Sequence, residues 1–428
     1  MSQELKEKIV RLMTESRANT LRIFDLAREK DLHKSPGFGF RPIIWHLAHI
    51  GVFESYWLLQ KMKGESAPDE RYERIFDPIK TPRESSVNLP SRKEMEIYLR
   101  RVRDGAMKYL DKVTFDENNL LLRDAYIFDL VLQHEYQHQE TLCYLLHLLP
   151  VEKKIRPDLN NRQSPIANRQ SSIEIAGGDF TMGCVWGVFG YDNEFPVHTV
   201  NLPAFKIDAN LTTNEEFLRF LESDGYKRKE FWSEEGWAWC ERENWQHPLY
   251  WTKKDEMWFE KNMFDETSLR LNHPVTGVSF YEAEAYSKFM NKSLPTEAEW
   301  EKAASWDATE KQKNLFAWGN ENPTDINCNF NTNQWDTTPT GNYPKGTNGC
   351  FDMTGNVWEW TSSVFDGYKG FQPFPYPEYS AEWFDGDHRV LKGGSWATRA
   401  PLLRTSFRNF FRRHFRIAFA GIRLAMNI

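Results

Sequence analysis

From Ile127 to Leu149 the sequence is apolar nearly throughout, and inside that run stands His134-Glu135-Tyr136-Gln137-His138-Gln139-Glu140. A run of this length with polar residues at intervals is a helix that must be packed on most sides. Residues four apart share a helical face, so His134 and His138 present two imidazoles to one point while Leu132, Leu142 and Leu146 bury the segment. Two readings follow: a metal site, or core histidines hydrogen-bonded to neighbouring helices.

A metal site needs further ligands. Glu140 would complete a two-histidine, one-carboxylate set, but it lies two residues beyond His138, about 200° round the helix, and points away. A ligand from another helix fits better. Trp45-His46-Leu47-Ala48-His49-Ile50 offers two imidazoles three apart, again on nearly one face.

The chain of 428 residues is too long for one ordinary core and implies two or three domains. An aromatic share of 15% with 17 Trp, mostly after residue 230, points to a loop-rich second domain held by large rings. The formal charge of -7, with no basic half set apart, argues against nucleic acid as a partner. Only Arg404 to Arg423 is locally basic, which suggests the lining of a pocket for an anionic small molecule, or else a solvated face. The 5 Cys show no CxxC spacing and fit reduced thiols. The N-terminus lacks an apolar signal core, and no run of about 18 apolar residues occurs. A soluble, cytoplasmic protein without membrane contact is expected.

Along the chain, helical periodicity predicts helices over Glu4 to Lys30, Pro42 to Met62, Ser91 to Val113 and Asn118 to Leu149, with a turn-rich connection through Pro68, Pro78, Pro82 and Pro90. Four helices with one long connection make a four-helix bundle over residues 1–150, the second and fourth carrying the histidines. Residues 151–172 have no period and read as a linker. Over residues 173–428, Ile173 to Met182 and His198 to Ile207 read as strands, and the capping boxes Thr213-x-x-Glu216, Ser279-x-x-Glu282 and Thr296-x-x-Glu299 open three helices. That is an irregular α+β domain.

The second domain also carries Gly177-Gly178-Asp179-Phe180-Thr181-Met182-Gly183, His273-Pro274-Val275-Thr276-Gly277-Val278-Ser279, Leu294-Pro295-Thr296-Glu297-Ala298-Glu299-Trp300-Glu301, Asp352-Met353-Thr354-Gly355-Asn356-Val357-Trp358-Glu359-Trp360 and Leu391-Lys392-Gly393-Gly394-Ser395-Trp396. In this order they resemble the formylglycine-generating-enzyme-like domain, a C-type-lectin-like fold. Such a domain does not by itself fix function. Formylglycine-generating enzymes work through cysteines near the C-terminus, whereas this chain has no thiol after Cys350. The first 150 residues resemble a DinB-type bundle, and the combination resembles the hercynine oxygenases, iron-dependent sulfoxide synthases of ergothioneine biosynthesis. Their Trp-x-Leu-Ala-His and His-x-x-x-His-x-Glu segments match Trp45 to His49 and His134 to Glu140.

The resemblance implies Fe(II) held by His49, His134 and His138, with His46 a bystander, and dioxygen as co-substrate. Three neutral ligands leave about three coordination positions open. The implied reaction joins a thiol sulfur to imidazole C2 of hercynine and leaves a sulfoxide, with the active site between the two domains. Gln137 matches the glutamine that hydrogen-bonds the hercynine imidazole; Asn409 and Phe410 match the Asn and aromatic at its trimethylammonium end, a group that needs aromatic faces. Arg83 matches the first of two arginines that bind carboxylates of γ-glutamylcysteine, while Ser86 replaces the second. Phe411 stands where the family has an Asp near the thiol substrate's amine. These departures open the donor to γ-glutamylcysteine, cysteine or a selenol, with Arg412, Arg413 or Arg416 available for a carboxylate. Two tyrosines compete for the catalytic role, Tyr376 in the Phe374-to-Tyr379 loop and Tyr98 on the third helix. Alternatives to the sulfoxide synthase are a selenoneine synthase of the same architecture and a non-catalytic lectin-like binding protein with a structural zinc.

Overall fold

The structure is a computed structural model that describes residues 2–37, 39–79, 81–157, 172–185 and 187–428. It divides into two compact units, Met1–Asp158 and Leu159–Ile428. Of the stretch expected to link the domains, residues 158–171 lie outside the described residues.

The first unit is built on helices α1 (Ser2–Phe24), α2 (Glu29–Leu32), α3 (Trp45–Glu54), α4 (Glu70–Ile75), α5 (Arg92–Lys112) and α6 (Tyr126–Leu148). α3 packs on α5 and α6, and α1 on α6 and α5, which makes the four-helix core. Each long helix begins or ends where local chemistry dictates. Ser91 and Glu94 form a reciprocal capping box that opens α5. α6 starts eight residues later than periodicity predicts, because Asp124 (φ 50°) and Ala125 (φ 61°) are left-handed and break the ladder before Tyr126. The first helix stops at Phe24 rather than Lys30, since Ala27 pairs with Lys154 and Leu26 accepts from the Ile155 amide. α3 continues as a π-helix over Ser55–Lys61, a stretch that sequence periodicity does not distinguish from α-helix. α4 arises within the proline-rich connection, where Asp69 accepts from the amides of Arg71 and Tyr72.

The bundle core is not purely apolar. Arg17 of α1 and Arg103 of α5 face Glu54 of α3 and Glu135 of α6, with Arg17–Glu54 at 2.8 Å, Arg17–Glu135 at 2.9 Å, Arg103–Glu54 at 2.7 Å and Arg103–Glu135 at 3.2 Å. Thr20 adds a hydroxyl to Glu135 at 2.7 Å. Each of the main helices contributes one charge to this group, so it fixes their register as well as their charge balance.

The second unit has short strands around helices α7 (Asn214–Glu222), α8 (Glu234–Arg242), α9 (Phe280–Phe289) and α10 (Glu297–Ser305). The three expected capping boxes at Thr213, Ser279 and Thr296 are all formed, and Ser233 caps α8. Each long strand read from sequence is broken in two: Ser172–Ile175 and Gly178–Met182 are separate, as are His198–Leu202 and Phe205–Asp208. Phe205–Asp208 sits between Ser172–Ile175 and Ala425–Asn427, tying the start of the unit to its end. A four-stranded sheet runs Asn409–Arg412, His388–Lys392, Trp358–Val364, Ala420–Gly421, its last pair parallel. Trp300, Trp358 and Trp360 are fully buried in this unit, as the aromatic content leads one to expect.

Part of the basic stretch Arg404 to Arg423 is internal rather than a solvated face, while Arg412 is exposed. Arg404, Arg408 and Arg423 are buried and paired with Glu194, Glu297 and Glu359, with Arg408–Glu297 at 2.7 Å and Arg423–Glu359 at 2.8 Å. Buried guanidinium groups of this kind need a carboxylate and satisfied donors, which leaves them no free valence for a ligand. Cys143, Cys184, Cys240, Cys328 and Cys350 are all free and buried. No helix among the described residues is long and apolar enough to cross a membrane.

Candidate metal centre

The i, i+4 pair on α6 and the i, i+3 pair on α3 meet where those helices pack. One nitrogen from each of His49, His134 and His138 lies within 4.8 Å of the others. His138 Nε2 and His134 Nε2 are 3.2 Å apart. Two donors bound to one ion at about 2.1 Å, with roughly tetrahedral to octahedral angles, stand about 3.0–3.4 Å apart, so the pair is already at ligating distance. Glu140 is buried but stands outside this group, as the helical angle requires.

Each ring is held by something other than an ion. His49 Nδ1 lies 2.8 Å from the Phe76 carbonyl. A carbonyl only accepts, so Nδ1 carries the proton and the Nε2 lone pair is free. Trp45 stacks on His49 with centroids 4.5 Å apart. His138 Nδ1 lies 3.1 Å from His46 Nδ1. Were His138 to ligate through Nε2, its Nδ1 would be the donor and His46 the acceptor, the arrangement by which a neighbouring group orients a metal-bound imidazole. His134 is held by Phe53, stacked at 3.7 Å, while its Nδ1 is buried without a hydrogen-bond partner.

Burial keeps these imidazoles neutral. His46 is pushed down to about 3 by burial and by His49; His49 is pushed down to about 4 by burial, against the opposing pull of the Phe76 carbonyl. His134 and His138 are lowered further by burial and by the neighbouring rings. Neutral imidazole is the ligating form, so the donor set needs no deprotonation to take up a borderline divalent ion. The residues present fit iron, or another first-row ion that accepts three nitrogens.

The other candidates on the bundle lie in distinct settings. Tyr98 is buried on α5, stacks on Tyr72 at 4.4 Å and donates to Glu73 at 3.2 Å. It packs over Gly51 of α3, where a Cβ would come within 3.1 Å of its ring. Gln137 is half-buried on α6, and Arg83 is exposed in a 3-10 turn, 3.4 Å from the Gly39 carbonyl. Ser86 is buried and accepts from Arg41 at 2.6 Å.

In the second unit Tyr376 and Phe410 flank the same ring, Tyr379, with centroids 6.4 Å and 6.5 Å away. Burial raises the Tyr376 hydroxyl well above its ordinary value, with Asp192 and Glu378 adding to the shift. Phe410 stacks on Phe365 at 3.9 Å, Phe411 on Phe415 at 4.6 Å, and Asn409 accepts from the Phe410 amide. The three arginines proposed for a substrate carboxylate already hold acidic side chains. Arg412 and Arg413 each lie 3.0 Å from Asp387, Arg413 lies 2.9 Å from Glu235, and Arg416 lies 2.8 Å from Glu282. A substrate carboxylate at any of them would have to share or displace an existing pair.

Sequence reasoning missed Phe53, Phe76 and Arg41. Phe53 stands four residues after His49 and could have been read as facing the same way. The Phe76 carbonyl has no sequence signal at all.

A DinB-type helical unit followed by a sulfatase-modifying-factor-like α+β unit is the class that this fold defines. The DinB superfamily pattern matches residues 12–142, and the sulfatase-modifying factor enzyme 1-like domain matches residues 158–428. Hercynine oxygenase of Mycolicibacterium thermoresistibile is 33% identical, over 99% of this chain and 95% of that protein. The hercynine oxygenases of Mycolicibacterium smegmatis and Mycobacterium tuberculosis are 34% and 35% identical, over 96% and 99% of this chain and 97% and 99% of theirs. The chain belongs to the hercynine oxygenase family and is an oxidoreductase.

Proposed function

We propose that this enzyme acts on hercynine in ergothioneine biosynthesis, as an Fe(II)- and dioxygen-dependent sulfoxide synthase. The observation that carries this reading is the convergence of three neutral imidazole nitrogens within 4.8 Å, with no carboxylate in the group. The balanced reaction is R–SH + hercynine C2–H + O2 → R–S(=O)–C2 + H2O. The S–H and C2–H bonds break, the S–C and S–O bonds form, and the four electrons taken up by dioxygen come from sulfur and the new bond.

His49, His134 and His138 would hold the iron, which supplies binding and activation of dioxygen beside the thiolate and the imidazole when bound. Gln137, on the same helix as two of the ligands, would orient the hercynine imidazole through its amide. Asn409 and the ring of Phe410 would receive the trimethylammonium end. Tyr376 or Tyr98 would hold the proton that moves in the oxidation; burial keeps both hydroxyls protonated at neutral pH.

The donor is a thiol, γ-glutamylcysteine or cysteine. Ser86 binds Arg41 instead of supplying a cation, and Phe411 supplies no carboxylate, which favours the smaller cysteine. A selenol donor is the alternative that the same departures leave open.

Anaerobic loading with Fe(II), then oxygen, hercynine and each donor in turn, with products identified by mass, tests the assignment. A coupled sulfoxide from either thiol is expected. Coupling with a selenol alone moves the donor to selenium. No coupling together with no iron bound removes the oxygenase reading and leaves a binding protein.

A further inference from the structure

We infer that Arg41, which no motif of the chain marks, is the positioning residue that fixes His49 as an Nδ1-protonated imidazole with its Nε2 aimed at the other two. The inference rests on the three-imidazole reading for its purpose but not for its geometry.

Arg41 is only 8% exposed, and its hydrogen-bond acceptors are neutral, with the carboxylates of Glu84 and Asp77 acting on it only at longer range. It donates to the carbonyls of Thr81 at 2.6 Å, Pro78 at 3.3 Å and Pro82 at 3.3 Å, and to Ser86 Oγ at 2.6 Å. Burying a cation on backbone carbonyls is costly relative to an apolar side chain of the same size, so stability alone gives no reason for it. What the arrangement achieves is to gather Pro78, Thr81, Pro82 and Ser86 around one side chain four residues before the start of α3. A planar fork of five donors can hold all four acceptors in fixed directions, whereas a lysine offers three donors at a single point.

Two routes lead from Arg41 to His49. Its guanidinium lies 4.5 Å over Trp45, and Trp45 lies 4.5 Å from His49 with the planes 18° apart. Trp45 Nε1 also donates to the Ile75 carbonyl at 3.1 Å, beside Phe76. Phe76, whose carbonyl accepts from His49 Nδ1 at 2.8 Å, stands two residues before Pro78, the first residue whose carbonyl Arg41 holds. Without the fork, the segment loses its anchor and the imidazole loses both its stacking order and its carbonyl.

The test uses the full-length chain with 15N-labelled histidine, free of metal, and reads each ring's tautomer from long-range proton–nitrogen correlation, with His49→Gln assigning the His49 signals. Wild type should show His49 as the Nδ1–H form alone. Arg41→Met should convert it to a mixture of tautomers while the histidines of the second unit stay unchanged. Arg41→Lys should fail to restore the single form, and it carries the test if Arg41→Met does not fold. Retention of the single Nδ1–H form in the variants overturns the inference. A Co(II) titration against a chelator is run alongside. Where wild type binds Co(II), the variants should bind at least about tenfold more weakly. If wild type shows the fixed tautomer and its loss on substitution but takes up no Co(II), the metal reading fails and the positioning role stands.

Discussion

The phenyl ring of Phe53 lies face to face with the imidazole of His134, 3.7 Å between centroids and 8° between planes. His134 Nδ1 is buried with no hydrogen-bond partner, so this stack is what orients the ring. Phe53→Ala should therefore weaken metal binding by about tenfold to a hundredfold, the range seen when an orienting group is removed. Phe53→Leu, which restores bulk but not the flat face, should recover it only in part. Competition for Co(II) against a chelator measures both, and equal affinity in all three proteins would remove the role of the stack.

His46 and His138 make a second such pair. Replacing His138 by Ala takes away one of three donors and should abolish stoichiometric iron, as read by metal analysis of the purified protein. His46→Phe keeps all three donors but removes the acceptor 3.1 Å from His138 Nδ1. It should bind iron more weakly yet still bind it, so a variant as empty as His138→Ala would make His46 a ligand.

The buried imidazoles also set a pH dependence. In the unfolded chain a histidine takes up its proton near pH 6.5, whereas in the fold burial holds His46 down to about 3 and His49 to about 4. Between those values the unfolded state binds protons that the folded state refuses. The stability these rings contribute is thus present above about pH 6.5 and lost as the pH falls toward 4. Urea midpoints of the metal-free protein should drop over that window, and drop less steeply in the His46→Asn, His49→Asn double variant. Parallel slopes would count against burial as the cause.

Glu54 is fully buried between Arg17 and Arg103, whose attraction outweighs the burial that would otherwise raise its carboxyl. Glu54→Ala leaves two guanidinium groups with one carboxylate, Glu135, and should cost about 3–5 kcal/mol. Urea unfolding followed by the signal of the helical unit reads this. A loss below about 1 kcal/mol would mean that water or a shifted side chain replaces the carboxylate.

Much of the site was legible because helical spacing is local. His134 with His138, and Trp45 with His49, are each four residues apart, and a packed helix turns that spacing into a shared face. Helix α5 was legible nearly to the residue from its periodicity, expected over Ser91 to Val113 and formed over Arg92–Lys112. Long-range partners are not written locally. Arg404, Arg408 and Arg423 look like a basic patch in sequence, since the carboxylates that neutralise them lie 210, 111 and 64 residues away. The same holds for the carbonyl of Phe76, which any residue could supply and which only the path of the connecting segment places against His49. Asp124 and Ala125 gave no warning either, because a left-handed alanine is rare enough to be unexpected.

The buried thiols have a chemical consequence. Burial pushes Cys184 and Cys240 up to about 12 and Cys350 up to about 11, with nearby carboxylates adding to the shift. At neutral pH these sulfurs are neither thiolate nor within reach of solvent, and it is the thiolate that exchanges with disulfides and reacts with oxidants. The reaction proposed above would bring a small thiol and oxygen together, and reactive cysteines would then be exposed to both as reagents. Repeated turnover should therefore leave Cys184, Cys240 and Cys350 unmodified.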